Sequence, residues 1–158
     1  MGFEVEVRNV DGQVTALGSA GPHTVVVDRP PEAGGGGRGF SGGELLHLAV
    51  AGCVSNDLFR EAAARGIALE RVVVRVDGGF AGEPARSTGI SYDVEISGGA
   101  DDEALRALVE HVEAVAEIPA TLRAGTPVTL AHVAVTAGTR RRPGHAVGRQ
   151  DDLGRDGG

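Results

Sequence analysis

The first quarter of the chain alternates between apolar and polar residues, which is typical of strands with one buried face. Two such stretches, residues 3–8 and 14–17, flank Asp11-Gly12, a dipeptide that favours a hairpin turn. A third strand is predicted over residues 23–27. The prolines and glycines of residues 30–39 end this strand and predict a mobile loop.

A different pattern begins at Ser41, which can cap a helix because Glu44 follows at the spacing of a capping box. No proline occurs from Glu44 to Arg65, and Gly66 offers a C-terminal stop. Apolar residues at positions 45–54 cover every side, which predicts a helix that is buried all round. Such a helix needs cover on both sides, and a second subunit is the natural source of it, so the pattern favours a homodimer.

The second half of the chain predicts a hairpin and an amphipathic helix. Two strands of period two, residues 71–77 and 90–96, are expected to pair with each other. Asp101-Asp102 then opens a helix that Pro119 ends, and residues 128–136 form a last strand. This order of elements predicts an α+β fold with a mainly antiparallel sheet.

Composition limits how the chain can be organised into domains and which classes of partner it can bind. The length fits one domain, which we place at residues 1–137, followed by a disordered tail at residues 138–158. The net charge of −7 argues against a nucleic-acid partner. No apolar run approaches the length of a membrane span, and the start does not resemble a signal peptide. We therefore expect a cytoplasmic protein with no membrane partner.

Cys53 is the lone cysteine and the first candidate for chemistry. It is either a small apolar filler of the buried helix or a reactive thiol. The N-terminus of its own helix is too distant to stabilise a thiolate, so reactivity would need an arginine from elsewhere. Asn56 and Asp57 share its helix face, whereas His47 does not, and a Cys-His pair within the helix is not expected. The histidines lack metal-ligand spacing, so neither a metal nor another cofactor is expected.

The segment from Ser41 to Cys53, which runs from Ser-Gly-Gly-Glu-Leu-Leu to Ala-Gly-Cys, resembles the central helix of the OsmC/Ohr family. This family comprises the osmotically inducible and organic hydroperoxide resistance proteins. The later order of hairpin, helix, turn and strand is also similar, and the resemblance covers residues 1–136. It implies mainly antiparallel sheets around a buried central helix in an intertwined homodimer.

The resemblance also implies an activity, the thiol-dependent reduction of organic hydroperoxides. In the family one cysteine attacks the peroxide, and a second cysteine in a Cys-Pro turn resolves it as a disulfide. Cys53 matches the first position, but Ile118-Pro119 occupies the turn, so an external thiol is expected to resolve Cys53.

Glu44 is the second candidate catalytic residue, because it matches an acidic position in other branches of the family. Gly43 stands where the hydroperoxide-resistance members have their catalytic glutamate. Glu44 precedes Cys53 by nine positions, which places the two on opposite sides of an unbroken helix.

Two functions remain open from the sequence. In the first, Cys53 reduces an organic hydroperoxide and an external thiol restores it. In the alternative, the protein is a non-catalytic dimer that binds a small apolar ligand, and Cys53 is structural. The expected partners are a second copy of the chain, a small hydroperoxide or apolar ligand, and a thiol reductant.

Overall fold

The computed structural model describes residues 2–136 of the chain, and the predicted tail lies outside the described residues. One compact unit ends at Thr126, and the chain from Pro127 belongs to a second unit. The strands and helices are, in chain order, β1 (Glu6–Asn9), β2 (Ala16–Ala20), β3 (His23–Val27), α1 (Gly42–Ala64), β4 (Leu69–Ala81), β5 (Arg86–Gly98), α2 (Asp102–Val115) and α3 (Glu117–Ala124).

The first three strands form an antiparallel sheet in the order β1-β2-β3. The strand predicted at residues 23–27 is confirmed, while β1 and β2 begin later than the sequence pattern indicated. The reason is the size of the turn between them: the amide of Val10 donates to the carbonyl oxygen of Thr15 at 2.9 Å. This turn occupies positions that the alternation alone assigned to the second strand.

The loop after β3, which was predicted to be mobile, is organised around the buried carboxylate of Asp28. The Thr15 hydroxyl donates to it at 3.0 Å, and the amides of Arg29, Gly36 and Arg38 donate at 2.8 to 3.2 Å. The bond from Gly36, together with the other donors, lowers the pKa of Asp28 below its ordinary value. One side chain thus satisfies several amides of a loop whose own backbone hydrogen bonds are confined to the short 3-10 helix Pro31–Ala33 and the residues next to it.

Helix α1 begins and ends as the sequence predicts. The amide of Ser41 donates to Glu44 Oε2 at 2.7 Å, and the amide of Glu44 donates to Ser41 Oγ at 3.3 Å, which completes the capping box. At the other end Gly66 has a φ of 69°, a conformation that glycine adopts without strain.

Within a single chain, α1 buries one face only, so the prediction of burial on all sides is wrong for the isolated subunit. The buried face carries Val50, Val54, Asp57, Leu58 and Ala62. The side chains of Leu48 and Phe59 lie elsewhere on the helix and are each 49% exposed. The hairpin and the other helices pack against one side of α1, and no described element covers the rest.

The predicted hairpin is confirmed, because β4 and β5 pair antiparallel along their length. The predicted start of α2 is also confirmed: Asp101 Oδ1 accepts a hydrogen bond from the amide of Ala104 at 2.8 Å. Helices α1 and α2 share a core that also contacts the inner face of the hairpin. Its fully buried members are Val54, Leu58, Ala62, Leu108, Val112 and Ala116.

Helix α3 was not predicted, and the expectation that Pro119 ends the preceding helix is wrong. Helix α2 stops at Val115 because Ala116 is extended, with a ψ of 120°. Pro119 lies in the first turn of α3, where a proline removes no intrahelical hydrogen bond.

The strand predicted at residues 128–136 is also absent. Its apolar residues alternate as expected, but Val128, Leu130, Val133 and Val135 are all exposed. Alternation alone does not make a strand, because a strand also needs a neighbour that completes its backbone hydrogen bonds. No described helix is both long enough and apolar enough to cross a membrane.

Candidate active site

Cys53 lies in the middle of α1, half-buried, on the edge of the core that α1 and α2 share. The amide of Ile118 donates a hydrogen bond to Cys53 Sγ, with the nitrogen 3.5 Å from the sulfur. Ile118 is the second residue of α3, so the sulfur lies at the N-terminus of that helix. A helix N-terminus carries partial positive charge and favours a nearby anion.

The local sequence explains why the Ile118 amide is free to reach the sulfur. The first amides of a helix have no intrahelical acceptor. In α3, Pro119 has no N–H, and the amide of Ala120 donates to the carbonyl oxygen of Ala116 at 3.0 Å. From the sequence, only the N-terminus of the helix that carries Cys53 was expected to matter, so the contribution of this second helix was missed.

Asp57 contacts the other side of the sulfur, one helical turn after Cys53. Cys53 Sγ donates to Asp57 Oδ2 at a separation of 3.7 Å. Asp57 is only 4% exposed, and its Oδ1 pairs with Arg60 Nη1 at 2.6 Å. A buried carboxylate is costly unless its oxygens have partners, and here each oxygen has one.

The ionic contacts continue from Arg60 to helix α2. Arg60 Nε donates to Glu61 Oε1 at 3.2 Å, and Glu61 Oε2 lies 3.0 Å from His111 Nε2. Hydrogen bonds from Arg65 and Arg60 lower the pKa of Glu61 to about 2. The bond to Glu61 in turn raises the pKa of Arg60 above its ordinary value, so the guanidinium beside Asp57 stays charged.

A cavity of about 320 Å³ opens between α1, β5 and α3. Its wall is mainly apolar and includes Val50, which lies one helical turn before Cys53. Tyr92 contributes to this wall, and its hydroxyl is buried without a hydrogen-bond partner among the described residues. Burial, reinforced by the charge of Glu113, raises the pKa of Tyr92. The cavity has the size and lining of a small-molecule site with few polar groups.

The structure places the other candidate residue, Glu44, away from Cys53. Its carboxylate accepts the Ser41 amide, and this bond lowers the pKa of Glu44. His47 also stays apart from the thiol, as the spacing predicts: its Nδ1 lies 2.6 Å from the carbonyl oxygen of Gly43. Within residues 2–136, no group of three or more His, Cys, Asp or Glu side chains could hold a metal ion.

The sequence predicted one polar contact of Cys53 and missed the other, together with the arginine that pairs with Asp57. The contact with Asp57 follows from the i, i+4 spacing and is confirmed. Arg60 was detectable in the same way, because it lies three positions after Asp57 on the same helix. Helical spacing does not find Ile118, but the resemblance offered a signal, because it places Ile118 at the turn whose cysteine forms a disulfide with the attacking cysteine.

The fold matches those of known proteins with solved structures. An OsmC-like structure from Mycoplasma pneumoniae has a TM-score of 0.68 at 17% identity, covering 79% of this chain and 89% of that one. An organic hydroperoxide resistance protein OsmC from Legionella pneumophila has a TM-score of 0.55 at 18% identity, covering 78% and 90%. A putative organic hydroperoxide resistance protein from Vibrio cholerae, with captopril bound in one active site, has a TM-score of 0.51 at 21% identity, covering 77% and 84%.

These identities are low, so the structural likeness establishes the fold alone. No curated protein sequence matches the chain significantly. The family model described as OsmC-like protein, however, matches residues 34–131, which include Cys53, the hairpin and both later helices. The resemblance inferred from the Ser41–Cys53 segment is thereby confirmed, and the chain belongs to the OsmC-like protein family.

Proposed function

We propose that the protein reduces organic hydroperoxides with Cys53 as the attacking thiol. The observation that carries the proposal is the position of the sulfur, between the free amide of Ile118 and the buried carboxylate of Asp57. A thiol that is only a filler of the core has no need of two polar partners. Structural relatives that are named organic hydroperoxide resistance proteins support the same reading.

The reaction needs three chemical events. The thiolate of Cys53 attacks the outer oxygen of the hydroperoxide, the O–O bond breaks, and the products are a sulfenic acid and an alcohol. An external thiol then condenses with the sulfenic acid, which forms a mixed disulfide and releases water. A second thiol molecule attacks that disulfide, which restores the Cys53 thiol and yields the oxidised thiol pair.

The external thiol is required because Cys53 is the lone cysteine of the sequence. Ile118-Pro119 stands at the turn where the resemblance implies a second cysteine. This turn contributes a backbone amide to the sulfur and has no thiol to offer. A cytoplasmic location would supply small thiols in quantity.

The cavity beside Val50 is the proposed site for the organic part of the substrate. Its apolar wall suits an alkyl or aryl group. The substrate class is therefore a small or medium-sized organic hydroperoxide.

We further propose that two chains associate through the exposed side of α1. Leu48, Gly52 and Phe59 lie along this side, and monomeric proteins seldom expose such a stripe on a central helix. Sedimentation at micromolar concentration should give twice the chain mass of 16.1 kDa. A stable species of single-chain mass would contradict the dimer.

Trapping of the oxidised sulfur tests the activity. Treatment with tert-butyl hydroperoxide should give a Cys53 sulfenic acid that dimedone captures, and a small thiol should restore the free cysteine. Cys53→Ser should abolish peroxide consumption while the secondary structure is retained.

The alternative is a non-catalytic protein that binds a small apolar ligand in the same cavity. In that case the folded protein would form no dimedone adduct, and an alkylating reagent would modify Cys53 only after unfolding. That pair of results would reject the peroxidase proposal and favour the binding protein.

A further inference from the structure

We propose that Asp57 takes the proton from the Cys53 thiol and that Arg60 positions Asp57 for this transfer. The inference deepens the proposed function and rests on it, since it concerns how the same sulfur becomes a nucleophile. Asp57 would touch the reacting atom and is a catalytic residue in that sense, whereas Arg60 acts through Asp57 and is a positioning residue.

The two carboxylate oxygens of Asp57 have different partners. Oδ2 is the acceptor for the Cys53 S–H at 3.7 Å, and Oδ1 pairs with Arg60 at 2.6 Å. The ion pair fixes the carboxylate plane, so that the free lone pairs of Oδ2 remain directed to the sulfur. A general base must lie within reach of the proton it removes, and apo sites often show this contact somewhat long.

The net charge of the cluster also favours this transfer. The thiol, the carboxylate and the guanidinium together have a net charge of zero. Moving the proton from sulfur to Oδ2 creates a thiolate but leaves the net charge unchanged. The transfer therefore avoids burying an additional charge, which would be the main cost of ionising the thiol alone at this site.

Both products of the proton transfer, the thiolate and the protonated carboxyl group, have stabilising neighbours. After transfer, the thiolate would accept two hydrogen bonds, one from the Ile118 amide and one from the protonated Asp57. Only the carboxyl group of Asp57 would then separate Arg60 from the negative sulfur. Hydrogen-bond donors aimed at a developing charge are a common means of stabilising it.

The ionisable residues of β4, which also packs against α1, are all exposed: Glu70, Arg71, Arg75 and Asp77. The remaining ionisable groups around the cluster lie on the other elements. They are Glu61 on α1, His111 and Glu113 on α2, Tyr92 on β5, and Glu117 and Arg123 on α3. Glu61 contacts Arg60 and His111, and Arg123 pairs with Glu113. None of these six side chains has a hydrogen bond to the Cys53 sulfur or to the Asp57 carboxylate among the described contacts, which leaves Asp57 as the acceptor in direct contact with the thiol.

The protons and electrons of the step balance as follows. Asp57 removes the thiol proton, and the thiolate bonds to the outer oxygen of the hydroperoxide as the O–O bond breaks. The outer oxygen keeps its hydrogen and becomes the sulfenic OH, while the alkoxide that leaves takes the proton back from Asp57. Sulfur is oxidised by two electrons, the peroxide is reduced by two, and Asp57 ends as a carboxylate.

The test compares rates of Cys53 oxidation by tert-butyl hydroperoxide in wild type, Asp57→Asn and Asp57→Glu across neutral to alkaline pH. Loss of a general base lowers a rate by about 100-fold or more. Asp57→Asn should show a loss of that order at neutral pH, and the gap should close at alkaline pH, where hydroxide can remove the proton. Asp57→Glu should recover part of the neutral rate. Glu103→Gln, which removes a negative charge from an exposed position on α2, is the matched control and should leave the profile unchanged.

A second variant covers the case in which Asp57→Asn fails to fold. Arg60 is half exposed and can be changed to glutamine with little effect on the core. Arg60→Gln should slow oxidation at neutral pH by about tenfold, the effect of one charge-assisted hydrogen bond. A neutral rate in either folded variant that equals or exceeds the wild-type rate would overturn the inference. A wild-type protein that fails to react with the peroxide at all would instead reject the proposed function.

Discussion

The amide of Ile118 and the sulfur of Cys53 are 65 positions apart in the sequence and form a hydrogen bond in the folded chain. The bond places a cysteine from the middle of one helix at the N-terminus of another. It depends on the break between α2 and α3 at Ala116, where the backbone is extended. The environment of the thiol is therefore set by a helix boundary as much as by the helix that carries it.

Replacement of Ile118 by proline tests this bond. Proline has no N–H, and it is tolerated in the first turn of a helix. Ile118→Pro should slow the reaction of Cys53 with tert-butyl hydroperoxide by about tenfold, because one hydrogen bond to a charged sulfur is lost. Ile118→Ala keeps the amide and removes the side chain, so it should react at nearly the wild-type rate. Equal rates for the two variants would show that the amide has no part in the reaction.

Glu61 should make the stability of the fold depend on pH in the acidic range. Its pKa falls from an ordinary value of 4.5 to about 2 in the folded chain, so its bonds stabilise the protein above the ordinary value. That contribution is lost as the pH falls from about 4.5 to about 2. Glu61→Gln should lower Tm at neutral pH, and the difference from wild type should shrink across this window. A difference in Tm that is constant with pH would contradict the assignment.

Gly78 is a position in β4 where a side chain has no room. A Cβ there would lie 2.5 Å from His47 Nε2 and 2.6 Å from the carbonyl oxygen of Gly89. Gly78→Ala should therefore cost about 1 to 3 kcal/mol of unfolding free energy, as overpacking does in other cores. The adjacent Gly79→Ala is the control, because its nearest contact would be an ordinary 3.6 Å to Thr88. Urea denaturation of the two variants should separate them clearly.

Leu48 should be essential for association if two chains meet along α1. Leu48→Glu places a charge on the exposed apolar side of the helix and should shift the protein to a single-chain mass of 16.1 kDa in sedimentation. Val115 on α2 is also partly exposed, at 39%, and Val115→Glu is the matched control. Dissociation by both variants, or by neither, would argue against an interface at α1.

Local signals predicted those elements whose ends are set by their own residues. The capping pair Ser41 and Glu44 fixed the start of α1, and Asp101 fixed the start of α2, because caps act within one turn. The prediction that Pro119 ends a helix was wrong, since a proline can either follow one helix or stand in the first turn of the next. The difference depends on the backbone of Ala116, which has no distinctive sequence signal.

The unpredicted parts of the site and the fold depend on partners that are distant in sequence. The alternation at Val128 and Leu130 fits a strand, but a strand needs a neighbouring backbone, and sequence periodicity does not supply one. Asp57 was placed correctly beside Cys53 because both lie on one helix. Ile118 reaches the sulfur from another helix, and although the resemblance placed it at the turn of the resolving cysteine, the packing of α3 was needed to show that its backbone amide makes the contact.

Four hydrogen-bond donors share the carboxylate of Asp28, and together these bonds hold the glycine-rich loop in place. Glycine loses more conformational entropy on ordering than any other residue, so a loop with several glycines opens readily unless something holds it. Here the amides of Gly36 and Arg38 share one acceptor with Thr15. Protonation of that carboxylate would weaken these bonds together, so the part of the loop that they hold should loosen as a unit and not residue by residue. Susceptibility to proteolytic cleavage after Arg38 would then report the charge of a side chain ten positions earlier in the chain.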